Sequence, residues 1–292
     1  MVDLVYLQNG RGKSGHCLQD LFSSVNLACA LGVQAVYHPC WDRQSILPVD
    51  GIRETLGRFK AYEQKLDYAV AEALWEGIDS AEFNRIRQFI DLLDASGRKS
   101  LLCINSVYRL HLGQVYTLEQ AGFAPSGSFH RALSMLRRMF WGREFPRHNG
   151  EIETIAVHVR RGDIMLPNSN HKYRVWDTNF YREVIDDLKF HYPNAHIKLF
   201  TQKRRSKDVD SLTDVEVRHG GPSQSTDDFR EMVQADLFVP SNSCYSYWLA
   251  YLSRGTVRFY GGVDFLDPSL PVENFETASV SVEVPPPKVC PP

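Results

Sequence analysis

The sequence predicts an α/β fold made of two Rossmann-like halves that face each other across a cleft. Short apolar segments of strand length alternate with helix-compatible segments through the second half of the chain. A glycine-rich turn follows the first strand candidate, as in nucleotide-binding α/β folds. The polar stretch at 142–150 carries a proline and two glycines, which predicts domains at 1–148 and 149–292.

Length and charge exclude several classes of protein. The chain has 292 residues, of which 43% are hydrophobic and 23% charged, which is typical of a soluble globular protein. A formal net charge of −2 gives no broad positive surface for nucleic acid. No apolar run approaches the length of a membrane span, and the first residues do not form a signal peptide.

The cysteines predict a reducing compartment. Six are scattered along the chain without a CxxC pair, so neither a zinc site nor a dense disulfide framework is predicted, although one or two bridges remain compatible with the spacing. We expect a cytoplasmic enzyme, since disulfides are rare there. A Golgi lumenal location would require an N-terminal anchor that had been removed.

In the first half, strands are predicted at 4–8, 34–38 and 101–105. Helices are predicted at 17–31, 52–59, 66–75, 80–93 and 129–141, with a short helix at 117–122. In the last long helix an apolar stripe faces arginines, which indicates core packing rather than a cofactor site.

The loop after the first strand, GRGKSGHCLQD, is the candidate ligand loop of the first half. A P-loop, as in a kinase or sulfotransferase, needs a glycine five places before the Gly12–Lys13 pair, and Leu7 stands there instead. Both an ordinary glycine turn and a substrate-contacting loop fit, with Gly12 close to the donor in the second case. His16 and Asp20, which belong to this loop on the side expected to face the cleft, are candidate catalytic bases.

The second half has βαβαβ order, the pattern of a doubly wound nucleotide-binding unit. Strands are predicted at 152–160, 196–201, 215–218, 235–240 and 256–260, and helices at 179–191, 226–234 and 245–253. The proline-rich tail at 282–292 is predicted to be extended.

The tip of the strand at 152–160 carries the densest functional signal in the chain. The apolar run ends in HVRRGD, which contains His158, Arg160, Arg161 and Asp163. Ligands of open α/β sheets bind past the carboxyl ends of the strands, and a guanidinium matches a phosphate bidentately. The alternative is a basic turn in which Asp163 neutralises Arg161.

Three further polar signals follow strands of the same predicted sheet. Thr201 ends one strand, Asp227 and Asp228 open the helix after another, and the turn SNSC, with Asn242, Ser243 and Cys244, precedes a third helix. Each could be an ordinary helix cap. Together they predict a nucleotide site on one rim of the sheet, the rim formed by the carboxyl ends of its strands. The DxD at 208–210 follows a charged run rather than an apolar strand, so we expect a solvated loop and no metal site.

The motifs HVRRGD, SxDDFxxM and SNSCYSYWLAYL resemble the motif set of the inverting fucosyltransferases of GT-B fold, which include α-1,2-, α-1,6- and protein O-fucosyltransferases. The resemblance implies that Arg160 grips the donor β-phosphate with support from Arg161. It also implies that His158 and Asp227 or Asp228 contact the nucleoside, and that Ser243 and Cys244 contact the diphosphate.

The resemblance implies transfer of L-fucose from GDP-fucose to a glycan hydroxyl, with inversion and without a metal or other cofactor. UDP-xylose or another UDP-sugar is the alternative donor, and a P-loop-like sulfotransferase or kinase is the alternative of a different class. Asp163, His16 and Asp20 stay open as candidate bases. The partners implied are the nucleotide sugar and an oligosaccharide acceptor; acceptor, linkage and oligomeric state stay open.

Overall fold

The structure is a computed structural model of the chain. It describes residues 2–6, 14–37, 80–95, 100–104, 111–142, 145–166, 168–169, 174–203, 206–220, 225–261 and 266–280. The chain divides into two compact units, Met1–Phe145 and Pro146–Pro291. The predicted helices at 52–59 and 66–75, Gly12 and the tail at 282–292 lie outside the described residues.

The first unit contains a parallel three-stranded sheet in the order β2-β1-β3. Its strands are β1 (Val2–Tyr6), β2 (Gln34–Tyr37) and β3 (Ser100–Ile104), and its helices are α1 (Ser14–Leu31), α2 (Ser80–Ala95), α3 (Leu112–Gln120) and α4 (Ser128–Trp141). The carboxylate of Glu119 accepts hydrogen bonds from the amides of Gly127 and Phe129, which satisfies donors at the start of α4.

The second unit contains a parallel six-stranded sheet in the order β6-β5-β4-β7-β8-β9. The strands are β4 (Thr154–Val159), β5 (His196–Gln202), β6 (Glu216–Gly220), β7 (Leu237–Val239), β8 (Thr256–Phe259) and β9 (Phe275–Thr277). The helices are α5 (Thr178–His191), α6 (Ser225–Gln234) and α7 (Cys244–Leu252). Numbered within the unit, this is the order 3-2-1-4-5-6 of a Rossmann sheet.

The α/β class predicted from the sequence is confirmed. Most described elements lie within a few residues of their predicted bounds, and the largest shift is at α3, which begins five residues before the helix predicted at 117–122. Three of the described elements were not predicted: strand β9, the 3₁₀ turn Gly162–Met165 directly after β4, and the 3₁₀ turn Val209–Ser211 after β5.

The strand order fixes where the second unit can hold a ligand. Strand β4 pairs with β5 on one side and with β7 on the other, so the chain reverses its direction of winding between β4 and β7. Ligands of open α/β sheets bind outside the carboxyl ends of the strands at this switch point. The carboxyl ends of β4 and β7 lead directly into Arg160 and into the turn that contains Ser243.

Within the described part of the chain, none of the helices is both long enough and apolar enough to cross a membrane.

Candidate active site

Arg160 and Arg161 leave strand β4 side by side but lie in different environments. Arg160 is half-buried, and its Nη1 donates a hydrogen bond to the carbonyl oxygen of Arg161 over 3.1 Å. The Arg161 side chain is 1% exposed. Of the two cations, only Arg160 is within reach of a ligand at the rim.

The buried guanidinium of Arg161 forms an ion pair with a carboxylate at the surface, that of Asp208. Its Nε and Nη2 donate to Oδ2 of Asp208 over 3.0 and 2.8 Å, and its guanidinium lies 5.5 Å from the ring centroid of Tyr181. Burial raises the pKa of the Tyr181 phenol, so that its hydroxyl stays protonated beside the cation. The sequence placed Arg161 at the diphosphate; the structure instead gives its guanidinium an internal partner, because a buried charge requires one.

Gln202 at the end of β5 holds the Arg160 side chain from the neighbouring strand. With the amide oriented to satisfy both groups, Oε1 accepts from Arg160 Nη1 and Nε2 donates to the carbonyl of Arg161, both over 3.2 Å. Gly162 follows with φ +83°, and a Cβ there would collide with the Gln202 side chain. The glycine of the motif is therefore required for its backbone conformation, and a larger residue would also displace the Gln202 amide from Arg160.

His158 is a buried, neutral part of the site. Its Nδ1 lies 2.5 Å from Oγ of Ser246 on α7 and 2.9 Å from Oγ of Ser241 after β7. Burial, with a smaller contribution from the Arg160 cation, lowers the pKa of His158 from 6.5 to about 3. The imidazole thus links β4 to the turn before α7, and at neutral pH it acts only through hydrogen bonds.

Ser243 caps the N-terminus of α7. Its Oγ accepts a hydrogen bond from the amide of Tyr245 over 3.2 Å, and Asn242 before it is 2% exposed. A capped helix start directs amide groups and the positive end of the helix dipole towards the rim, where an anion is favoured. This turn and Arg160 are brought to the same switch point by the pairing of β4 with β7.

Asp228 and Asp227 differ in burial. Asp227 is exposed in the first turn of α6, whereas Asp228 is half-buried against Gly220, the last residue of β6. Burial raises the pKa of Asp228; the Arg218 cation opposes this effect, and the Glu231 and Asp227 carboxylates add to it. Of the two candidates, Asp228 is therefore the one that lines the rim.

Thr201 lies in β5, paired in register with Val159 of β4. It is 5% exposed, and its Oγ1 has no hydrogen-bond partner in the described part of the chain. Its predicted contact with the donor stays a prediction.

Several predicted site residues lie where the structure describes no side chain. His16 and Asp20 belong to α1, Asp163 to the 3₁₀ turn after Arg161, and Cys244 to the first turn of α7, but their side chains are outside the described residues. Their predicted roles stay predictions.

The DxD segment is exposed, as expected of a solvated loop, but its two carboxylates have partners that were not predicted. Asp208 holds Arg161, and Oδ1 of Asp210 lies 2.7 Å from Nε2 of His219, so both carboxylates have cationic or polar partners. No signal within the segment predicts this, because Arg161 stands 47 residues earlier in the chain. Among the described residues no cluster of three or more histidine, cysteine, aspartate or glutamate side chains could hold a metal ion.

The model of glycosyl transferase family 11 matches residues 143–278. This range contains every strand and helix that is described in the second unit. No curated protein matches the chain.

Solved structures resemble the chain only distantly. POFUT1 in complex with GDP-fucose is 13% identical, with 89% of this chain and 97% of that chain covered and a TM-score of 0.45. A mutant of Arabidopsis thaliana FUT1 in complex with GDP is 12% identical, with 90% and 71% covered and a TM-score of 0.46. Fucosyltransferase NodZ from Bradyrhizobium is 12% identical, with 84% and 90% covered and a TM-score of 0.35.

Proposed function

We propose that the protein is a glycosyltransferase that transfers L-fucose from GDP-fucose to a glycan hydroxyl with inversion and without a metal ion. The match of the glycosyl transferase family 11 model to residues 143–278 supports glycosyl transfer. The observation that carries the proposal is the meeting of Arg160 and the capped start of α7 at the switch point of a Rossmann sheet. The donor follows from the resemblance of three motifs to those of fucosyltransferases.

The groups on this rim would stabilise the negative charge of the leaving diphosphate. Arg160 would bond the β-phosphate, and the amides at the start of α7, with Ser243, would bond the adjoining oxygens. A hydrogen bond to a charged group contributes about 1.5–3 kcal/mol, and each 1.36 kcal/mol is about tenfold in rate. Electrostatic stabilisation of the departing diphosphate is therefore the main catalytic device of the proposal.

The nucleoside would lie against the half of the rim formed by β5 and β6. Asp228 offers a half-buried acceptor there for N–H groups of a base or for a ribose hydroxyl. His158 would contribute as a neutral ring held in place by Ser241 and Ser246.

Direct displacement at the sugar requires a base for the acceptor hydroxyl. Asp163 follows Arg161 by two residues, whereas His16 and Asp20 come from α1 of the first unit. The base takes the hydroxyl proton as the acceptor oxygen bonds the anomeric carbon, and the electron pair of the broken bond leaves with the diphosphate. All three residues stay candidates.

Charge neutralisation by protein groups supports a metal-independent reaction. The DxD carboxylates, which in other glycosyltransferases hold a divalent cation, are engaged here with Arg161 and His219. The positive charge at the rim comes from Arg160 and from a helix start. A cytoplasmic location is also proposed, and the buried, free thiol of Cys29 supports it.

Thermal-shift screening of GDP, UDP and ADP with their sugar conjugates, each with and without a chelator, tests the proposal. We expect GDP and GDP-fucose to raise the melting temperature, since a ligand that binds only the folded state stabilises it. Each increase should be as large with the chelator as without it. A shift with UDP-xylose alone would select the alternative donor. A shift with adenine nucleotides alone would favour a sulfotransferase or kinase and contradict the proposal.

A further inference from the structure

The Asp208-Val209-Asp210 segment lies beside the donor rim without belonging to it. Asp208 precedes the 3₁₀ turn Val209–Ser211, which follows strand β5. The side chain of Asp208 is 39% exposed, whereas that of its partner Arg161 is 1% exposed. The carboxylate therefore lies at the surface end of a contact that continues into the interior. That contact leads towards the backbone of strand β4.

Arg161 connects Asp208 to that backbone. Two of its nitrogens, Nε and Nη2, bond Oδ2 of Asp208, and the third, Nη1, donates to the carbonyl oxygen of Arg160 over 3.0 Å. A guanidinium is planar and rigid, so fixing two nitrogens on a carboxylate also fixes the direction of the third. The orientation of the Arg160 carbonyl thus depends on the carboxylate of Asp208.

The two arginines hold each other reciprocally. The Arg161 side chain bonds the Arg160 carbonyl, and the Arg160 side chain bonds the Arg161 carbonyl. The same Arg161 carbonyl accepts from Nε2 of Gln202. A change in the Arg161 guanidinium is therefore transmitted to the peptide from which the Arg160 side chain extends.

Asp208 is itself held in place by a third donor. Oγ1 of Thr178, the first residue of helix α5, donates to Oδ2 over 2.8 Å. Partial burial alone would raise the pKa of Asp208, but hydrogen bonds from Arg161 and Thr178 outweigh it, and the pKa lies below its usual value. The carboxylate is ionised throughout the neutral range.

We propose that Asp208 is a positioning residue for the donor diphosphate, acting through the guanidinium of Arg161 on the backbone that directs Arg160. The inference rests on the proposed function, because it assigns Arg160 to the β-phosphate. It gives the DxD segment a purpose other than metal binding, and it explains why the motif has two arginines of which only one reaches the rim.

Asp210 provides a matched control on the same turn. Its side chain is 52% exposed, comparable to that of Asp208, and it pairs with His219, whose Nδ1 in turn lies 3.0 Å from Oγ of Ser206. This chain of contacts does not include either arginine. Asp210→Asn therefore removes a charge from the same segment without touching the Arg161–Arg160 connection.

The test measures the dissociation constants of GDP and GMP by calorimetry for the wild type, Asp208→Asn, Asp210→Asn, Arg160→Ala and Arg160→Ala/Asp208→Asn. The ratio of the GMP to the GDP constant isolates the β-phosphate. We expect Asp208→Asn to lower this ratio roughly tenfold, because a misdirected Arg160 loses much of its charge-assisted hydrogen bond to the β-phosphate. The GMP constant and the Asp210→Asn ratio should stay at wild-type values, which a general loss of stability would not produce.

The double variant and a substitution of Arg161 complete the test. Arg160→Ala/Asp208→Asn should have the same ratio as Arg160→Ala alone, because Asp208 acts only through Arg160. Arg161→Lys keeps the buried cation but lacks the fork, so it should lower the ratio like Asp208→Asn, and it serves as the main variant if Asp208→Asn does not fold.

The inference would be overturned if the ratio of the GMP to the GDP constant stayed at its wild-type value in Asp208→Asn or, where that variant does not fold, in Arg161→Lys. It would also be overturned if the ratio were lower in Arg160→Ala/Asp208→Asn than in Arg160→Ala. Failure of the proposed function looks different: the wild type itself would then show no preference for GDP over GMP.

Discussion

Arg160 and Arg161, which follow β4, differ in burial and in their partners, because side chains of an extended chain alternate between the two faces of a sheet. Arg160 follows the face of His158 and reaches Gln202, whereas Arg161 follows the face of Val159 and is buried against Tyr181 and Asp208. The sequence predicted two guanidiniums at a strand tip. It could not predict which one is buried, because the partner is on a distant turn.

Arg160→Ala is predicted to lower kcat on the order of a hundredfold at saturating donor, since it removes a charge-assisted contact to the leaving group. Arg160→Lys should fall between this variant and the wild type, because an ammonium keeps the charge but not the bidentate geometry. Steady-state kinetics with GDP-fucose measure both. If Arg160→Ala kept most of its turnover, the assignment of Arg160 would be wrong.

His158 should make the protein sensitive to acid. Its pKa is 6.5 in the unfolded chain and about 3 in the folded protein, so protonation favours unfolding. The stability associated with the neutral ring is fully present above pH 6.5 and is lost as the pH falls from there towards 3. We expect the melting temperature to fall over that range, and to fall less steeply in His158→Gln. Equal slopes for the two proteins would contradict the burial of a neutral imidazole.

At the scale of elements, helix α7 depends on one serine for its start. Ser243→Ala is predicted to lower the free energy of unfolding by about 1 kcal/mol, because the Tyr245 amide loses its acceptor. Weaker GDP binding should accompany the loss of stability, whereas Ser243→Asp should keep the cap but repel the diphosphate. Denaturant unfolding and GDP titration measure the two effects. A stability unchanged in Ser243→Ala would exclude the capping role.

The amino ends of the two central strands, β4 and β7, are held together by Asp236. Its carboxylate accepts hydrogen bonds from the amides of Glu153 and Thr154 and from the Thr154 hydroxyl, and it pairs with Arg254 and His148. Burial alone would raise the pKa of Asp236, but these hydrogen bonds, with the nearby His148, outweigh it and lower the pKa.

Asp236→Ala should therefore cost about 3–5 kcal/mol of unfolding free energy, as for other buried ion pairs that lose one partner. The difference from the wild type should shrink below pH 3.8, since stability that depends on an ionised carboxylate is lost as the pH falls through its folded pKa. Asp214→Asn, at an exposed ion pair with Lys189, is the control and should change stability by less than about 1 kcal/mol. Equal losses in the two variants would contradict the role of Asp236.

Elements with long, regular patterns were predictable, and short ones were not. Helix α4 has an apolar stripe along its whole length, whereas β9 has three residues and, among the described strands, pairs with β8 alone. Helix α3 begins after His111, whose amide donates to Oε1 of Gln114 over 2.9 Å. Histidine is not among the preferred capping residues, so the pattern predicted a later start.

At the scale of the whole molecule, the order of alternation was enough to predict the type of sheet in the second unit. The βαβαβ pattern implied a doubly wound sheet, and the observed order places β4 and β7 at its switch point. The resemblance to glycosyltransferases that was based on three motifs is confirmed by the family-model match over residues 143–278. The donor sugar and the base are not encoded in sheet order, because they depend on a few loop side chains.

The central claim is inverting transfer from GDP-fucose without a metal, driven by Arg160 at the departing diphosphate. A proton NMR time course of GDP-fucose with the enzyme and a chelator tests it most directly, because water can replace the unknown acceptor. We predict release of GDP and of fucose whose first-formed anomer is inverted relative to the donor, at a rate roughly a hundredfold lower in Arg160→Ala. An intact donor, a retained anomeric configuration or a loss of turnover caused by the chelator would contradict it.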